Sequence, residues 1–168
     1  MAKAKTAPFW IAEAQVGIST SVESQTIDIG AYVDPADSQG LEILSVDYIW
    51  DETTNLPPSF TDQRATAQLK DNTNGDLVSP TNLHLISSGH LSVDAGSYLS
   101  TSSDVFPDRL NLGKDGGRVV VNDSLEFCVK GSATANNLRC TVRICARVIT
   151  LTKKDYMTLA LQTVADNN

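Results

Sequence analysis

The run over residues 138–151 constrains this chain more than any other, because its apolar residues recur at every second position. Leu138, Cys140, Val142, Ile144, Ala146 and Val148 alternate with Arg139, Thr141, Arg143, Cys145 and Arg147. Successive side chains of a β-strand point to opposite faces, so the pattern is that of a long strand with one buried face. The spacing of the arginines would also suit one face of a helix. The interleaved apolar set has period 2, however, and β-branched residues dominate it, which favours a strand.

The segment before it predicts a partner. Leu125, Phe127 and Val129 alternate with Glu126 and Cys128. A hairpin register that pairs Val129 with Leu138, Phe127 with Cys140 and Leu125 with Val142 puts all the apolar side chains on one side, with Glu126 and Cys128 on the arginine side. Asp123 would fall on the apolar side of that ladder. A bulge or corner is therefore expected at Asn122-Asp123, separating residues 119–121 from the strand proper.

Shorter strand patterns fill the front of the chain. Residues 9–18, 26–33 and 41–50 alternate in the same way, the last carrying Val46, Tyr48 and Trp50 on one face. Asp34-Pro35 through Gly40 has the chemistry of a turn, with Pro fixing φ and Gly accepting positive φ. Residues 51–61, with Pro57-Pro58, read as a loop. Residues 64–70 and 76–78 flank Asn74-Gly75, a hairpin signal; Asn72, Asn74 and Asp76 resemble a calcium loop only superficially, since the Gly comes one place early and no Glu closes it. Residues 83–86 and 90–93 read as two further short strands, and 97–117 as a long loop-rich crossing. That makes about eight strands and no internal repeat.

The chain ends in a helix over residues 153–164. Thr152 is placed to cap it with Asp155 three residues on, and Leu151 and Tyr156 stand where a hydrophobic staple needs them. Tyr156, Leu159, Ala160 and Thr163 share a face, which Met157, Leu161 and Val164 widen beyond what docking on the chain's own body requires. Residues 1–8 form an unpatterned arm, ordered only if something holds it. The expected organisation is this arm followed by one domain over residues 9–168, an all-β antiparallel sandwich with a short C-terminal helix.

The chemistry of the common catalytic sites is missing from the sequence. His84 and His90 stand six apart in neither a metalloprotease nor a His-x-His spacing, and no nucleophile elbow or phosphate-binding glycine loop occurs. Both histidines read as polar surface or hairpin residues. Scattered carboxylates leave a glycosidase without positive support. Cys128, Cys140 and Cys145 are odd in number and lack Cys-x-x-Cys spacing, so they read as reduced, semi-buried thiols rather than metal ligands or disulfides. Neither a metal nor a cofactor is expected. No apolar run approaches the roughly 18 residues of a membrane span, and the first residues lack the apolar stretch of a secretory signal.

Charge narrows the partners. The net charge is -7, which argues against a protein whose main task is to grip nucleic acid. Residues 118–155 nevertheless hold seven basic against three acidic side chains, a balance of +4 that leaves -11 for the remainder. Like subunits could dock one region against the other. Lys3 and Lys5 in the arm, Arg139, Arg143 and Arg147 on the strand, and Met157, Leu161 and Val164 on the helix are the candidate subunit-interface residues; a solvated sheet face is the plain alternative for the arginines.

Two stretches carry a resemblance: Gly117-Arg-Val-Val-Val-Asn-Asp-Ser-Leu-Glu-Phe-Cys-Val129 and Cys140-Thr-Val-Arg-Ile-Cys-Ala-Arg-Val-Ile-Thr-Leu-Thr-Lys-Lys-Asp-Tyr156. With the long polar crossings and the tail helix, they resemble the closing strands of single jelly-roll viral capsid proteins. The resemblance implies a jelly-roll-like fold, a shell-forming role in the virion after assembly in the host cytoplasm, and copies of the chain as partners, with room for a second capsid protein. The acidic balance departs from coat proteins that package genome directly, and fits those that tile an outer shell over a membrane or a second protein layer. The competing reading is a ligand- or carbohydrate-binding β-sandwich module. Sugar binding needs exposed aromatic platforms, whereas Trp10 and Trp50 both sit in strand patterns and are expected in the core.

Overall fold

The computed structural model describes residues 2–52, 62–94, 99–105 and 117–165. Along the chain these form β1 (Lys3–Ala4), β2 (Phe9–Ile18), β3 (Glu23–Asp28), β4 (Gln39–Glu52), β5 (Gln63–Lys70), β6 (Leu85–Val93), β7 (Leu99–Val105), β8 (Arg118–Val120), β9 (Ser124–Gly131), β10 (Ala135–Thr150) and the helix α1 (Lys153–Ala165). The strands make two antiparallel five-stranded sheets. The first, sheet A, has the order β1-β10-β4-β8, with β2 also paired to β10; the second, sheet B, has the order β3-β9-β5-β6-β7.

The pairings describe one long antiparallel ribbon. β2 pairs with β10, β3 with β9 and β4 with β8, and the ribbon turns back on itself where β5 pairs with β6. Winding that ribbon so that successive pairs alternate between the sheets gives a jelly-roll sandwich, an architecture that buries an apolar layer between two sheets. The layer is supplied by alternate residues of each strand: Leu41, Ile43 and Val46 from β4, Ala65, Ala67 and Leu69 from β5, Leu125, Phe127 and Val129 from β9, and Cys140, Val142, Ile144 and Ala146 from β10. Each large aliphatic or aromatic side chain buried in this way contributes roughly 1.5–3 kcal/mol.

The hairpin register expected between the last two strands is not formed. β9 lies in sheet B between β3 and β5, while β10 lies in sheet A between β2 and β4. Their apolar sides belong to the same core, but across the sandwich rather than along a ladder. The switch is made at Gly131, whose N–H donates to Ser19 O at 2.7 Å. A Cβ there would stand 2.6 Å from Ala133 O and 2.8 Å from Ile18 Cγ2. The expected corner at Asn122-Asp123 is present, and it too switches sheets, from β8 in A to β9 in B.

Other expectations need correction. The strand expected over 26–33 ends at Asp28, because Gly30–Tyr32 is a 3-10 turn held by Asp28 Oδ1 on Gly30 N and by Ile29 O on Tyr32 N. Asn74-Gly75 does not connect two strands. Gly75 takes φ 73°, but inside a long connection between β5 and β6 that folds back over sheet B. The two short strands expected after it are one, β6, running through Ser87-Ser88-Gly89. The 97–117 crossing contains β7, and residues 97–98 and 106–116 of it lie outside the described residues, as do 53–61 of the expected 51–61 loop.

The C-terminal expectation holds: α1 begins at Lys153, and Thr152 Oγ1 accepts from Asp155 N at 3.2 Å. The arm is held by its own chain. Lys3 and Ala4 pair with Thr150 and Ile149, and Lys5 N donates to Val148 O at 2.8 Å.

The middle of β6 must be small. The ring of Tyr48 from sheet A reaches across the sandwich, donates its hydroxyl proton to Ser87 O at 3.0 Å, and fills the space beside Gly89. An added Cβ at Gly89 would lie 2.6 Å from Tyr48 Cδ2. Gly89→Ala is therefore expected to lower stability by about 1–3 kcal/mol through overpacking, read as a shifted urea midpoint; an unchanged midpoint would show that the ring can yield.

Candidate functional site

The two sheets present very different outer faces. That of sheet B is covered at one end by residues 71–84 of its own chain. Gln68 grips Val78 through both backbone groups, donating to its O at 2.9 Å and accepting from its N at 2.8 Å. Lys70 and Glu126, on neighbouring strands, form an ion pair at 2.7 Å with side chains 0% and 5% exposed. Glu126 also accepts from Gly75 N with both oxygens, at 3.0 and 3.1 Å, and Lys70 donates to Asn74 Oδ1 and Asp76 O. The positive φ of Gly75 turns its N–H towards the carboxylate, which gives that glycine its purpose.

A second knot lies beside this one. Asp71 accepts from Arg118 at 3.0 Å and stands 2.6 Å from His84 Nδ1, while Arg118 also donates to Leu83 O at 2.6 Å and Asn122 to Asp71 O. His84 is buried, not a surface or hairpin residue, and it joins the ends of β5, β6 and β8. Most polar groups here answer one another, as buried groups generally do, but His84 Nε2 is buried without a hydrogen-bond partner. Among the described residues no group of three or more His, Cys, Asp or Glu is placed to hold a metal ion. These contacts fasten the 71–84 connection to the ends of β5, β6 and β8. Nothing in the sequence marks Lys70, Asp71 or Glu126 as partners, because their strands are brought together only by the fold.

The outer face of sheet A carries the arginine row, exposed at Trp10, Asp47, Ile49 and Arg143 and largely buried at its Glu42–Arg147 end. Each arginine of β10 stands opposite an acidic residue of β4: Arg139 opposite Asp51, Arg143 opposite Asp47 and Arg147 opposite Glu42. A register shift between Cys145 and Ala146 accounts for the last match. It leaves Leu44 as an extra residue, so the face reads Asp51, Ile49, Asp47, Ser45 and then Glu42. Arg139 pairs with Asp51, and Arg147 donates from Nε to Glu42 at 2.6 Å. Arg143 departs from this scheme: its guanidinium lies 4.5 Å from the centroid of the Trp10 ring, a cation–π contact. Trp10 is 51% exposed, so the expectation that both tryptophans are core holds only for Trp50. β2 turns Phe9 and Ile11 inward instead.

The remaining candidate interface residues are scattered over the surface. Lys3 is exposed on β1, and Lys5 donates to Gln39 Oε1 at 2.6 Å and lies 3.7 Å from Asp37, both of its own chain. On α1, Tyr156 is buried while Met157 and Leu161 are 57% and 63% exposed. Val164 belongs to the same helix, and its side chain is outside the described ones.

The cysteines are free thiols; against the expectation that they are semi-buried, Cys128 and Cys140 are fully buried and only Cys145 is half-buried. Burial pushes Cys128 up from 9.0 to about 11 and Cys140 up further still. A thiol whose folded value is raised adds stability that is complete below its unfolded value and is lost as pH climbs through the folded one. Stability should therefore fall between pH 9 and 11. At pH 8 a thiol reagent should modify half-buried Cys145 well before Cys128 or Cys140, read by mass of proteolytic peptides; equal rates would contradict the packing. Removing one member of the buried pair, as in Glu126→Ala, should cost about 3–5 kcal/mol, and the joint replacement Lys70→Met with Glu126→Leu distinctly less.

No family model matches this chain, and no curated protein does. Among solved structures, one from Desmodium yellow mottle tymovirus aligns over 86% of this chain and 83% of its own, with 12% identity and a TM-score of 0.35. So low a score carries no argument, and the jelly-roll assignment rests on the strand pairings themselves.

Proposed function

We propose that this protein is a structural capsid protein that self-assembles into a viral shell. The observation that supports this best is a sandwich whose core is closed within one chain while large apolar side chains stay outside it. Trp10 and Ile49 on sheet A, and Met157 and Leu161 on α1, are each more than two-fifths exposed. Apolar groups left out on two separate surfaces fit a subunit with several neighbours better than a monomer with one ligand cleft. Jelly rolls serve viral shells and sugar-binding domains alike, so topology alone does not decide between them.

On this reading the partners are copies of the chain, with room for a second capsid protein, and the protein resides in the virion after assembly in the host cytoplasm. The net charge of -7 suits a shell component that is not the main genome-binding one. The neutral row on sheet A changes the expected docking of a basic region on an acidic one, since Arg139 and Arg147 already have acidic partners within the chain.

The second reading, a ligand- or carbohydrate-binding module, gains one point from the exposure of Trp10. That ring carries Arg143 near its face, which a stacking sugar would have to displace. Native mass against concentration separates the two readings: assembly gives multiples of the 18.0 kDa chain, whereas a constant monomer supports the module. Replacing both Met157 and Leu161 with Ser should leave the fold intact and reduce the assembled fraction at least roughly tenfold, each buried side chain being worth about 1.5–3 kcal/mol. Unchanged assembly would remove α1 from the interface.

A further inference from the structure

We propose that the outer face of sheet A is a two-fold interface on which a second copy of this chain docks face to face, with Arg143 of each copy meeting Asp47 of the other. The proposal deepens the capsid reading and rests on it.

The chain carries a net charge of -7, so copies repel one another over most of their surface. The sheet A face is an exception. Arg139, Arg143 and Arg147 stand there against Asp51, Asp47 and Glu42, three charges of each sign. A patch whose charges balance lets two copies approach there with little net repulsion. On the other sheet, residues 71–84 cover one end of the outer face.

The row is also open at its centre only. The outer two arginines close on their β4 neighbours, whereas Arg143 turns away from Asp47 and lies against Trp10. Among the described residues Asp47 makes no ion pair, and both it and Arg143 are exposed. Among the described residues, this cation and this anion on adjacent strands lack an ion-pair partner, and together they form a patch that is complementary to itself. A two-fold axis passing between them brings each Arg143 to the other copy's Asp47, which is the reciprocal contact that an isologous interface requires. Trp10, Ala12, Ala14 and Ile49 surround the pair with apolar surface that such docking would cover. The Trp10 ring already restricts the guanidinium of Arg143, which reduces the freedom lost when the contact forms.

Charge reversal tests this geometry in a way that a general loss of stability cannot imitate. Arg143→Asp places acidic groups opposite each other in a homodimer, and Asp47→Arg places basic ones; each should raise the dissociation constant roughly a hundredfold. Mixing the two variants in equal amounts should restore association, since every contact between unlike copies is again of opposite sign. Sedimentation gives the mass, and Trp10 fluorescence should shift to the blue on association while Trp50, packed on the core, does not follow. The neutral pair Arg143→Gln and Asp47→Asn provides milder variants, each expected to weaken association about tenfold without like-charge contacts. If folded variants associate as the wild type does, or if the mixture stays dispersed, this interface is overturned while the capsid reading stands. A wild-type chain that is monomeric at every concentration overturns both.

Discussion

β10 is hydrogen-bonded along both edges, to β1 and β2 on one side and to β4 on the other, and the rest of the structure is arranged around that constraint. A strand paired on both edges cannot rotate or slip without turning its whole apolar set outward. Its inner residues, Leu138, Cys140, Val142, Ile144 and Ala146, therefore fix the level of the core, while its outer residues fix the arginine row. The same alternation produces both the stability of the sandwich and the character of its exposed face.

That face and its opposite show two ways of treating charge. On sheet B the chain buries Lys70 with Glu126 and surrounds them with backbone donors and acceptors. Desolvating such a pair costs several kcal/mol per ion, so its value lies in fixing where the covering loop sits. On sheet A the Arg139–Asp51 pair remains in water, where it is worth about 0–1 kcal/mol. A pair stabilised so weakly can exchange its partner at little cost, whereas Arg147 and Glu42 at the other end of the row are mostly buried.

Much of this fold is legible in the sequence because period-2 alternation is local. The bounds of β2 and the course of β4, the corner at Asn122-Asp123, and the Thr152 cap of α1 follow from neighbouring residues alone. Which strand pairs with which does not. Leu125, Phe127 and Val129 have the same pattern whether they line β10 or face it across the core, and only the tight space at Gly131 shows that the chain changes sheets. Asn74-Gly75 marks a positive φ correctly but not its use, since Gly75 serves a buried carboxylate rather than a hairpin. The exposure of Trp10 was hidden for a similar reason: β2 alternates Phe9 and Ile11 with Trp10 and Ala12, and both sets look apolar. The acidic partners of the arginines could be read on one face of β4 as Asp47 and Asp51, but Glu42 joins them only through the extra residue Leu44.

Electron imaging of the purified 168-residue chain tests the central claim most directly. The account predicts closed particles of uniform diameter at concentrations where subunits meet, built from a chain whose core needs no partner to fold. Dispersed single subunits at every concentration and salt condition would contradict it.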